Sequence, residues 1–251
     1  DRVTSKKSRI IAAQQQVVRY DRESTDEINS KSEKAIIKNF KKIVSSYDVI
    51  LLSDYGKGLL TFELTQSLIS IAKDNKKKLL VDPKGLDYLK YKGAYLLTPN
   101  KKEACEATNV NIKDNKSLSQ AIKILKNKCE LKVSLITLSE QGVAVFDNEL
   151  RIHPTVAIEV FDVTGAGDTI LASLGFALSC NKNIDEAVKF ANLASGVVVG
   201  KVGSATASIN EIIEYESSLN KSNSYEHIKD WSEISHLVSE LKTKDKKIIF
   251  T

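Results

Sequence analysis

Short apolar runs alternate with helical segments through the middle of the chain, and this alternation restricts the folds that the chain can adopt. Apolar strands are predicted at residues 49–52, 79–81, 94–97 and 133–138. Helices are predicted between them at residues 61–72, 101–107 and 117–128. Short buried strands joined by helices form a mainly parallel sheet that is covered on both faces. The sequence therefore predicts an α/β fold.

The segments on either side of this region extend the prediction. Residues 8–20 are predicted to form two short strands, and residues 32–44 a helix. An Asp147-Asn148 turn joins two alternating runs, at residues 143–146 and 150–153, and predicts a hairpin at the sheet edge. Residues 184–199 are predicted to pack tightly, and the Ser/Asn/Lys-rich residues 217–224 are predicted to form a linker. The last predicted elements are a helix at residues 231–241 and a strand at residues 247–251.

Polar turns follow four of the predicted strands. They lie at residues 53–58, 82–85, 98–100 and 139–142, and each contains glycine or proline. In open parallel sheets, ligands bind beyond the carboxyl ends of the strands. These turns are therefore predicted to surround a pocket.

The run Asp162-Val163-Thr164-Gly165-Ala166-Gly167-Asp168-Thr169 carries the strongest chemical signal in the chain. It ends an extended segment and begins an apolar helix, so its small residues expose backbone N–H groups at a helix N-terminus, which favours an anion. Asp168 lies in the first turn, where its carboxylate could take a proton from a hydroxyl that attacks a phosphate. The alternative is that Asp168 only caps the helix and the glycines only form a turn.

Two common phosphate-binding motifs are excluded. No Gly-x-x-x-x-Gly-Lys-Ser/Thr sequence occurs, and Ile170 stands where a dinucleotide-binding motif needs a third glycine or alanine. The run from Asp162 to Asp168 instead resembles the signature of the ribokinase-like (PfkB) family of sugar kinases. This resemblance implies a three-layer α/β/α fold with a mainly parallel sheet and a small β lid. It also implies ATP as phosphate donor, Asp168 as catalytic base, and an anion hole formed by the backbone of Gly165, Ala166 and Gly167.

The segment Asn100-Lys101-Lys102-Glu103 has two interpretations. Asn at the N-cap with Glu three residues later is the capping-box pattern. In ribokinase-like kinases the same pattern is associated with the ATP phosphates and the water shell of Mg²⁺, so the resemblance makes Asn100 and Glu103 candidates for binding Mg²⁺ through water. The two roles are compatible.

The resemblance implies further nucleotide and cation contacts. Ser139, Glu140 and Gly142 occupy the position of a nucleotide-binding turn, and Asn192, Lys201 and Gly203 would border the adenine and ribose. Alone, each is an ordinary turn or helix residue. Asp162 and Thr164 match positions near a monovalent-cation site for K⁺, although Asp162 could equally order the loop.

Several other runs are similar to a subgroup of this family, whose members phosphorylate a heptose 7-phosphate and carry a second, nucleotidyltransferase domain. The similar runs are at residues 7–12, 53–60, 82–85, 97–100 and 196–203. The subgroup implies ATP-dependent phosphorylation of D-glycero-β-D-manno-heptose 7-phosphate at O1, in ADP-heptose biosynthesis for lipopolysaccharide core. Candidate substrate residues are Lys7, Arg9, Asp54, Lys57 and Lys84. The alternatives are another sugar kinase of the family or a catalytically silent nucleotide-binding fragment.

The resemblance also implies a domain division. Residues 1–216 correspond to the kinase domain without its N-terminal segment, so the sugar pocket and lid are expected to be incomplete. Residues 217–230 are expected to be a linker, and residues 231–251 a helix and first strand that lead into an absent nucleotidyltransferase domain. Family members often pair through their lid strands, which implies a homodimer.

Composition excludes several other classes of function. The 251 residues include 37 basic and 32 acidic side chains, for a net charge of +5, and the lysine clusters have no interleaved aromatic residues, which argues against nucleic-acid binding. Neither a signal peptide nor an apolar run of membrane-spanning length occurs, so we expect a cytoplasmic protein without a membrane partner. Three widely spaced cysteines are predicted to be buried thiols, and the three histidines show no ligand spacing.

Overall fold

The computed structural model describes residues 2–12, 15–156, 160–225, 235 and 238. The chain divides into one compact unit at residues 1–207 and a second at residues 208–251. The first unit contains the sheet and all the predicted site residues.

Six strands of the first unit form two adjoining three-stranded sheets. The parallel strands β3 (Val49–Ser53), β4 (Lys78–Asp82) and β5 (Leu96–Leu97) lie side by side, and β6 (Ser134–Thr137), β7 (Val143–Phe146) and β8 (Leu150–His153) form an antiparallel set. A parallel bridge between Asn100 and Thr137 joins the two sets, and the Val133 amide donates to the Tyr95 carbonyl at 3.1 Å. The predicted hairpin is confirmed with the predicted bounds.

Helices cover both faces of the sheet. The helices of the first unit are α1 (Ser30–Ile43), α2 (Phe62–Asp74), α3 (Lys101–Thr108), α4 (Asn115–Lys128), α5 (Ala166–Ser179) and α6 (Ile184–Val199), with 3₁₀ turns at Val44–Ser46, Tyr88–Tyr91 and Ser139–Gln141. Successive residues of β4 alternate between two cores, because strand side chains point to opposite faces. Leu79 and Val81 pack with α2 and α4, while Leu80 packs with α5 and α6. The three-layer prediction is therefore confirmed.

The strand β3 differs from its prediction. It was expected to be buried, but its residues are only partly covered, and Leu51 is 38% exposed. In the described part of the sheet β3 is the edge strand, paired with β4 alone. Its Leu51 side chain faces Gly175 of α5.

A separate two-stranded ribbon precedes the sheet. The strands β1 (Lys6–Ala12) and β2 (Gln15–Arg22) are antiparallel, with Lys7 opposite Asp21 and an irregularity between Ile10 and Ile11. Every residue of β1 is exposed. The prediction of two strands in this region is confirmed.

The second unit corrects the linker prediction. Helix α7 spans Ile209–Tyr225, so residues 217–225 are helical. The stretch contains no Gly or Pro, and the hydroxyls of Ser217 and Ser218 donate to the carbonyls of Ile213 and Tyr215 in the preceding turn. The rest of the predicted elements lie outside the described residues, apart from Ser235 and Val238. These elements are the remainder of the linker at 226–230, the helix at 231–241 and the strand at 247–251.

Two further predictions can be compared with the described residues. Cys129 is buried, but Cys105 is partly exposed and Cys180 is exposed at the C-terminus of α5, so the prediction of three buried thiols is wrong for these two. Within the described segments, we find no helix with both the length and the apolar character needed to cross a membrane.

Candidate active site

The glycine-rich run forms the N-terminus of α5, as the sequence predicts. Gly165 is the N-cap residue and has a φ of 82°, a left-handed conformation that favours glycine. Asp168 lies in the first turn and is exposed. The Thr169 amide donates to the Gly165 carbonyl at 2.9 Å, which closes that turn.

The predicted anion hole has fewer available backbone amides than expected. The Ala166 amide donates to the Val163 carbonyl at 3.2 Å, so this N–H group is engaged in a turn. Gly167 and Asp168 lie in the first helical turn, where amides have no acceptor within their own helix. No described atom lies within 4 Å of the position that a Cβ atom would take at Gly165 or Gly167. An anion could therefore approach this helix terminus closely.

Two side chains from the end of β3 contact the Asp168 carboxylate. The Tyr55 hydroxyl lies 3.2 Å from Oδ1 and 3.1 Å from Oδ2, and the Ser53 hydroxyl lies 3.3 Å from Oδ1. Burial and the neighbouring Asp168 carboxylate raise the pKa of Tyr55, so Tyr55 stays protonated and acts as a donor. The sequence analysis placed residues 53–58 at a pocket but did not single out either side chain.

Asp54 has a structural role in the loop after β3 that the sequence did not predict. Its carboxylate accepts from the Gly56 amide at 2.7 Å, from Lys90 Nζ at 2.6 Å and from the Tyr91 hydroxyl at 2.7 Å. The residue is only 6% exposed. Both carboxylate oxygens have partners within the protein, so Asp54 anchors the loop after β3, and its contact with substrate stays a prediction.

A cavity of about 370 Å³ lies between the β1–β2 ribbon and the end of β3. Its lining residues are Ser5, Lys7, Glu23, Ser53, Asp54, Tyr55, Lys57, Leu59 and Leu60. We call it the ribbon cavity. Glu23 separates its two lysines: Lys57 forms an ion pair with one carboxylate oxygen, and Lys7 lies 3.9 Å from the other. Arg9 lies two residues beyond Lys7 on β1, outside the residues that line the cavity.

A second cleft, of about 400 Å³, is lined in part by the N-terminus of α5. We call it the glycine cleft. It brings together the predicted nucleotide residues Ser139, Glu140, Gly142 and Asn192 with Ala166 and Gly167 of α5. Its apolar lining residues are Val143, Val160, Val163, Ile170 and Val199. Asn192 is 7% exposed, and its side-chain amide donates to the carbonyls of His153 and Pro154, so it also holds the end of β8.

The segment Asn100–Glu103 forms the predicted capping box at the start of α3. The Glu103 amide donates to Asn100 Oδ1 at 2.9 Å, and the Asn100 amide donates to Glu103 Oε2 at 3.0 Å. Lys84 Nζ contacts Glu103 Oε1 at 2.7 Å, so both Glu103 oxygens have partners. The neighbouring Lys102 forms a long ion pair of 3.9 Å with Glu106, and Lys101 begins α3.

Asp82 at the end of β4 adds to the negative charge near this helix, and the sequence analysis did not single it out. Burial, followed by the Glu103 and Asp168 carboxylates, raises the pKa of Asp82 to about 6, although the Thr98 hydroxyl opposes the shift by donating to Asp82 at 3.1 Å. A divalent cation would offset this accumulation of carboxylates. Within the described part of the chain, however, no group of three or more His, Cys, Asp or Glu side chains is arranged to hold a metal ion directly.

Asp162 orders the loop that leads into α5. Its Oδ1 accepts from the Thr164 amide at 2.8 Å. The Thr164 hydrogen bonds, with a further one from the Gly203 amide, lower the pKa of Asp162. Lys201 Nζ donates to the Thr206 carbonyl at 2.7 Å. Lys201 and Gly203 are thus near the α5 approach loop and are not among the residues that line the cleft.

The parallel sheet, the exposed carboxylate at a glycine-rich helix terminus and the two flanking cavities are the features of a phosphotransferase that acts on a hydroxyl group. Residues 1–211 match the family described as pfkB family carbohydrate kinase. The chain therefore belongs to this family of sugar kinases.

Curated relatives agree with this assignment. The chain is 64% identical over 251 residues to the bifunctional protein HldE of Aliarcobacter butzleri and 59% identical over 250 residues to the protein of the same name from Sulfurimonas denitrificans. All of this chain is matched in both cases, against 53% and 52% of the relatives. The chain thus spans about half the length of the curated relatives it matches.

Solved structures agree on the fold. The structure of Arabidopsis thaliana ribokinase complexed with ribose and ATP matches this chain with a TM-score of 0.65 and 19% sequence identity. The match covers 79% of this chain and 65% of the ribokinase chain. Escherichia coli phosphofructokinase-2 in complex with potassium has a TM-score of 0.65 and 20% identity, with coverages of 81% and 67%. At this level of identity the likeness is one of fold alone.

Proposed function

We propose that this chain transfers the γ-phosphoryl group of ATP to O1 of D-glycero-β-D-manno-heptose 7-phosphate, giving the 1,7-bisphosphate for ADP-heptose and lipopolysaccharide core synthesis. The observation that carries the proposal is that the neighbours of Asp168 line two different cavities. Tyr55, which contacts Asp168, lines the ribbon cavity, and the adjacent Gly167 lines the glycine cleft. An acceptor hydroxyl and a phosphate donor could therefore meet at this carboxylate.

The glycine cleft suits ATP. Its valine and isoleucine walls can hold an adenine ring, and its polar turn at Ser139–Gln141 can contact the nucleotide. The end of the cleft reaches the α5 N-terminus, where a phosphate is favoured. The fold relative from Arabidopsis, which was solved with ribose and ATP, supports the same donor.

The ribbon cavity suits a phosphorylated sugar. Lys7 and Lys57 supply positive charge for a phosphate, and the Glu23 carboxylate between them can accept hydrogen bonds from sugar hydroxyls. Arg9 is proposed to reach the 7-phosphate from the same strand. The choice of heptose rests on the similarity to relatives named bifunctional protein HldE and on the runs shared with the heptose-kinase subgroup.

The transfer proceeds by proton abstraction and in-line displacement. The Asp168 carboxylate takes the proton from the O1 hydroxyl, the bond from O1 to the γ-phosphorus forms, and the bond to the ADP oxygen breaks. A positioned base of this kind contributes about 10²–10⁴ in rate. The free amides of the α5 terminus stabilise the transferred group, and one such donor is worth roughly 10²–10³.

Mg²⁺ fits this site as a water-linked ion. Asn100 and Glu103 are the residues that would hold its water shell, and the raised pKa of Asp82 marks a place where added positive charge is stabilising. Bound Mg²⁺ would neutralise charge on the ATP phosphates. Lys84, paired with Glu103 at 2.7 Å, is the neighbouring cation that can contact a phosphate oxygen.

Three further parts of the proposal concern the surroundings of the reaction. K⁺ is proposed to bind near Asp162 and Thr164, and its effect on the rate can be measured against Na⁺. The exposed apolar residues of the β1–β2 ribbon, such as Ile10 and Val18, support a homodimer that pairs through the ribbon. The reaction is proposed to take place in the cytoplasm, where ATP is available.

The test is transfer of labelled γ-phosphate from ATP to heptose 7-phosphate, with fructose 6-phosphate and ribose as competitors, for this chain and for the full-length gene product. We expect the heptose to be preferred and Asp168→Asn to abolish transfer. The matched control is Asp48→Asn. It removes an exposed carboxylate that lines neither cavity.

Three results would redirect the proposal. Preference for fructose 6-phosphate or ribose would assign another sugar kinase of the family. If Lys7→Ala and Arg9→Ala leave the KM for the sugar unchanged, the acceptor carries no phosphate in the ribbon cavity. ATP binding by calorimetry without transfer in the full-length protein would identify a silent nucleotide-binding domain.

A further inference from the structure

The contact between Tyr55 and Asp168 joins the end of β3 to the start of α5. The phenol hydroxyl is within hydrogen-bond distance of both carboxylate oxygens, at 3.2 and 3.1 Å, and the Ser53 hydroxyl adds a contact of 3.3 Å to one of them. Ser53 and Tyr55 are alternate residues at the end of an extended strand, so they can point in the same direction. They are the two side-chain donors that the described structure gives to Asp168.

The backbone around Tyr55 is held firmly. The preceding residue, Asp54, donates its amide to the Asp82 carbonyl at 3.0 Å, and its buried carboxylate binds Lys90 and Tyr91. The following residue, Gly56, donates its amide to the same carboxylate. Tyr55 therefore projects from a fixed loop, while its own side chain remains 58% exposed and borders the ribbon cavity.

This geometry limits what Asp168 can do without Tyr55. Asp168 is exposed, so its side chain can otherwise choose among several rotamers, only some of which present an oxygen to the ribbon cavity. A donor from a fixed loop thus restricts the direction in which the base presents its oxygens.

We propose that Tyr55 is a positioning residue that holds the Asp168 carboxylate at the mouth of the ribbon cavity, in the orientation that accepts the proton of the acceptor hydroxyl. The inference rests on the proposed function, because it assigns Tyr55 a task in the same phosphate transfer. Tyr55 takes no proton itself: its hydroxyl donates to one carboxylate oxygen and leaves lone pairs of the other for the acceptor hydroxyl.

The kinetic test compares Tyr55→Phe with the wild type and with Tyr47→Phe, an exposed tyrosine just before β3 that lines neither cavity. We expect Tyr55→Phe to lower kcat roughly tenfold or more, since small misplacements of a reacting group are costly. The KM for ATP should not change. Ser53→Ala should lower kcat by a smaller factor, because its contact with Asp168 is the longer one. Tyr47→Phe should behave as wild type.

Two kinetic results would overturn the inference. An unchanged kcat in Tyr55→Phe would show that Asp168 needs no such partner. A higher KM for the sugar at unchanged kcat would make Tyr55 a substrate contact and not a positioning residue.

A second measurement needs no catalysis and separates this inference from the proposed function. Tyrosine ionisation is followed by ultraviolet absorbance, and the Tyr55 signal is the difference between wild type and Tyr55→Phe. Asp168→Asn should lower the pH at which that signal appears, because the carboxylate contributes to the raised pKa of Tyr55. An unchanged Tyr55 titration would refute the contact itself, whereas the expected shift in a protein that phosphorylates no sugar would refute only the proposed function.

Discussion

Tyr88 and Tyr91 lie in the same 3₁₀ turn but differ in the partners of their hydroxyl groups. Both side chains are fully buried, and their rings pack edge to face with centroids 5.7 Å apart. The Tyr91 hydroxyl donates to Asp54 at 2.7 Å and accepts from the Lys84 amide at 3.0 Å. The Tyr88 hydroxyl has no hydrogen-bond partner among the described residues. Replacing either tyrosine by Phe removes one hydroxyl oxygen from the same buried pair of rings. A difference between the two variants therefore reports the hydrogen-bond partners of the hydroxyl groups.

The two substitutions should have different effects on the free energy of unfolding. Tyr91→Phe removes a hydrogen bond to a charged carboxylate, worth about 1.5–3 kcal/mol, and leaves the Lys84 amide without its acceptor. Asp54 keeps Lys90 and the Gly56 amide, so the charge does not become isolated. Tyr88→Phe removes a buried hydroxyl whose unmet hydrogen bond costs about 1–3 kcal/mol, and should be neutral or stabilising.

The assay is urea unfolding of wild type and both variants, monitored by circular dichroism at pH 7. We expect Tyr91→Phe to be less stable than Tyr88→Phe by about 2–4 kcal/mol, with equal m-values. Tyr91→Phe should also lower kinase activity, because Asp54 fixes the loop that carries Tyr55. Equal losses in the two variants would refute the argument, since they would show that packing of the rings, and not the hydroxyl partners, determines stability here.

Three further predictions concern residues at the strand ends. Gly142→Ala should cost about 2–5 kcal/mol of unfolding free energy and weaken ATP binding, because φ is 95° and a Cβ atom would overlap the His153 carbonyl. The control is Gly85→Ala, at a φ of 88° in open space, which should cost only about 1–2 kcal/mol in the same urea titration. The pKa of Asp82 is about 6 against 3.8 for the free side chain, so the folded state binds more protons and the contribution of Asp82 to stability is lost as pH rises from about 4 to 6. Asp82→Asn should therefore reduce, by up to about 3 kcal/mol, the fall in stability between those pH values, as urea midpoints can show. Asn192→Ala should lower the unfolding free energy by about 1–3 kcal/mol even without nucleotide, since two carbonyls at the end of β8 lose their donor; loss of ATP affinity alone would contradict this assignment.

Local signals in the sequence predicted the elements well. Thr61 caps α2 and Asn100 caps α3, as their side chains and following residues predict. The Asp147-Asn148 turn fixes the bounds of the β7–β8 hairpin for the same reason, since a short turn determines the pairing of its own strands. The polar segment of 217–225 was misassigned because polar composition alone does not end a helix that lacks Gly and Pro.

Contacts between distant residues explain most of what the sequence did not show about the site. A carboxylate after a strand predicts a ligand contact for Asp54. The sequence does not show that Lys90 pairs with it or that the Tyr91 hydroxyl donates to it, more than 35 residues later. Glu23 and Tyr55 were missed for the same reason, because their importance comes from Lys57 and Asp168 across the fold. The one available signal was the spacing of Ser53 and Tyr55, which puts both on one side of an extended segment. The engaged Ala166 amide depends on loop geometry that spacing cannot give.

The arrangement of the two cavities around one helix terminus has a consequence for inhibition. Tyr55 of the ribbon cavity contacts Asp168, and Gly167 of the glycine cleft is the next residue to Asp168 along the chain. A single molecule that joins an adenosine phosphate to a sugar phosphate by a short linker could occupy both cavities at once. Its second half would then bind at a high effective concentration, and such linkage can tighten binding by about 10²–10⁴-fold over either half. A protein that holds donor and acceptor this close together can therefore be blocked more selectively by a molecule that imitates both of them than by one that imitates ATP alone.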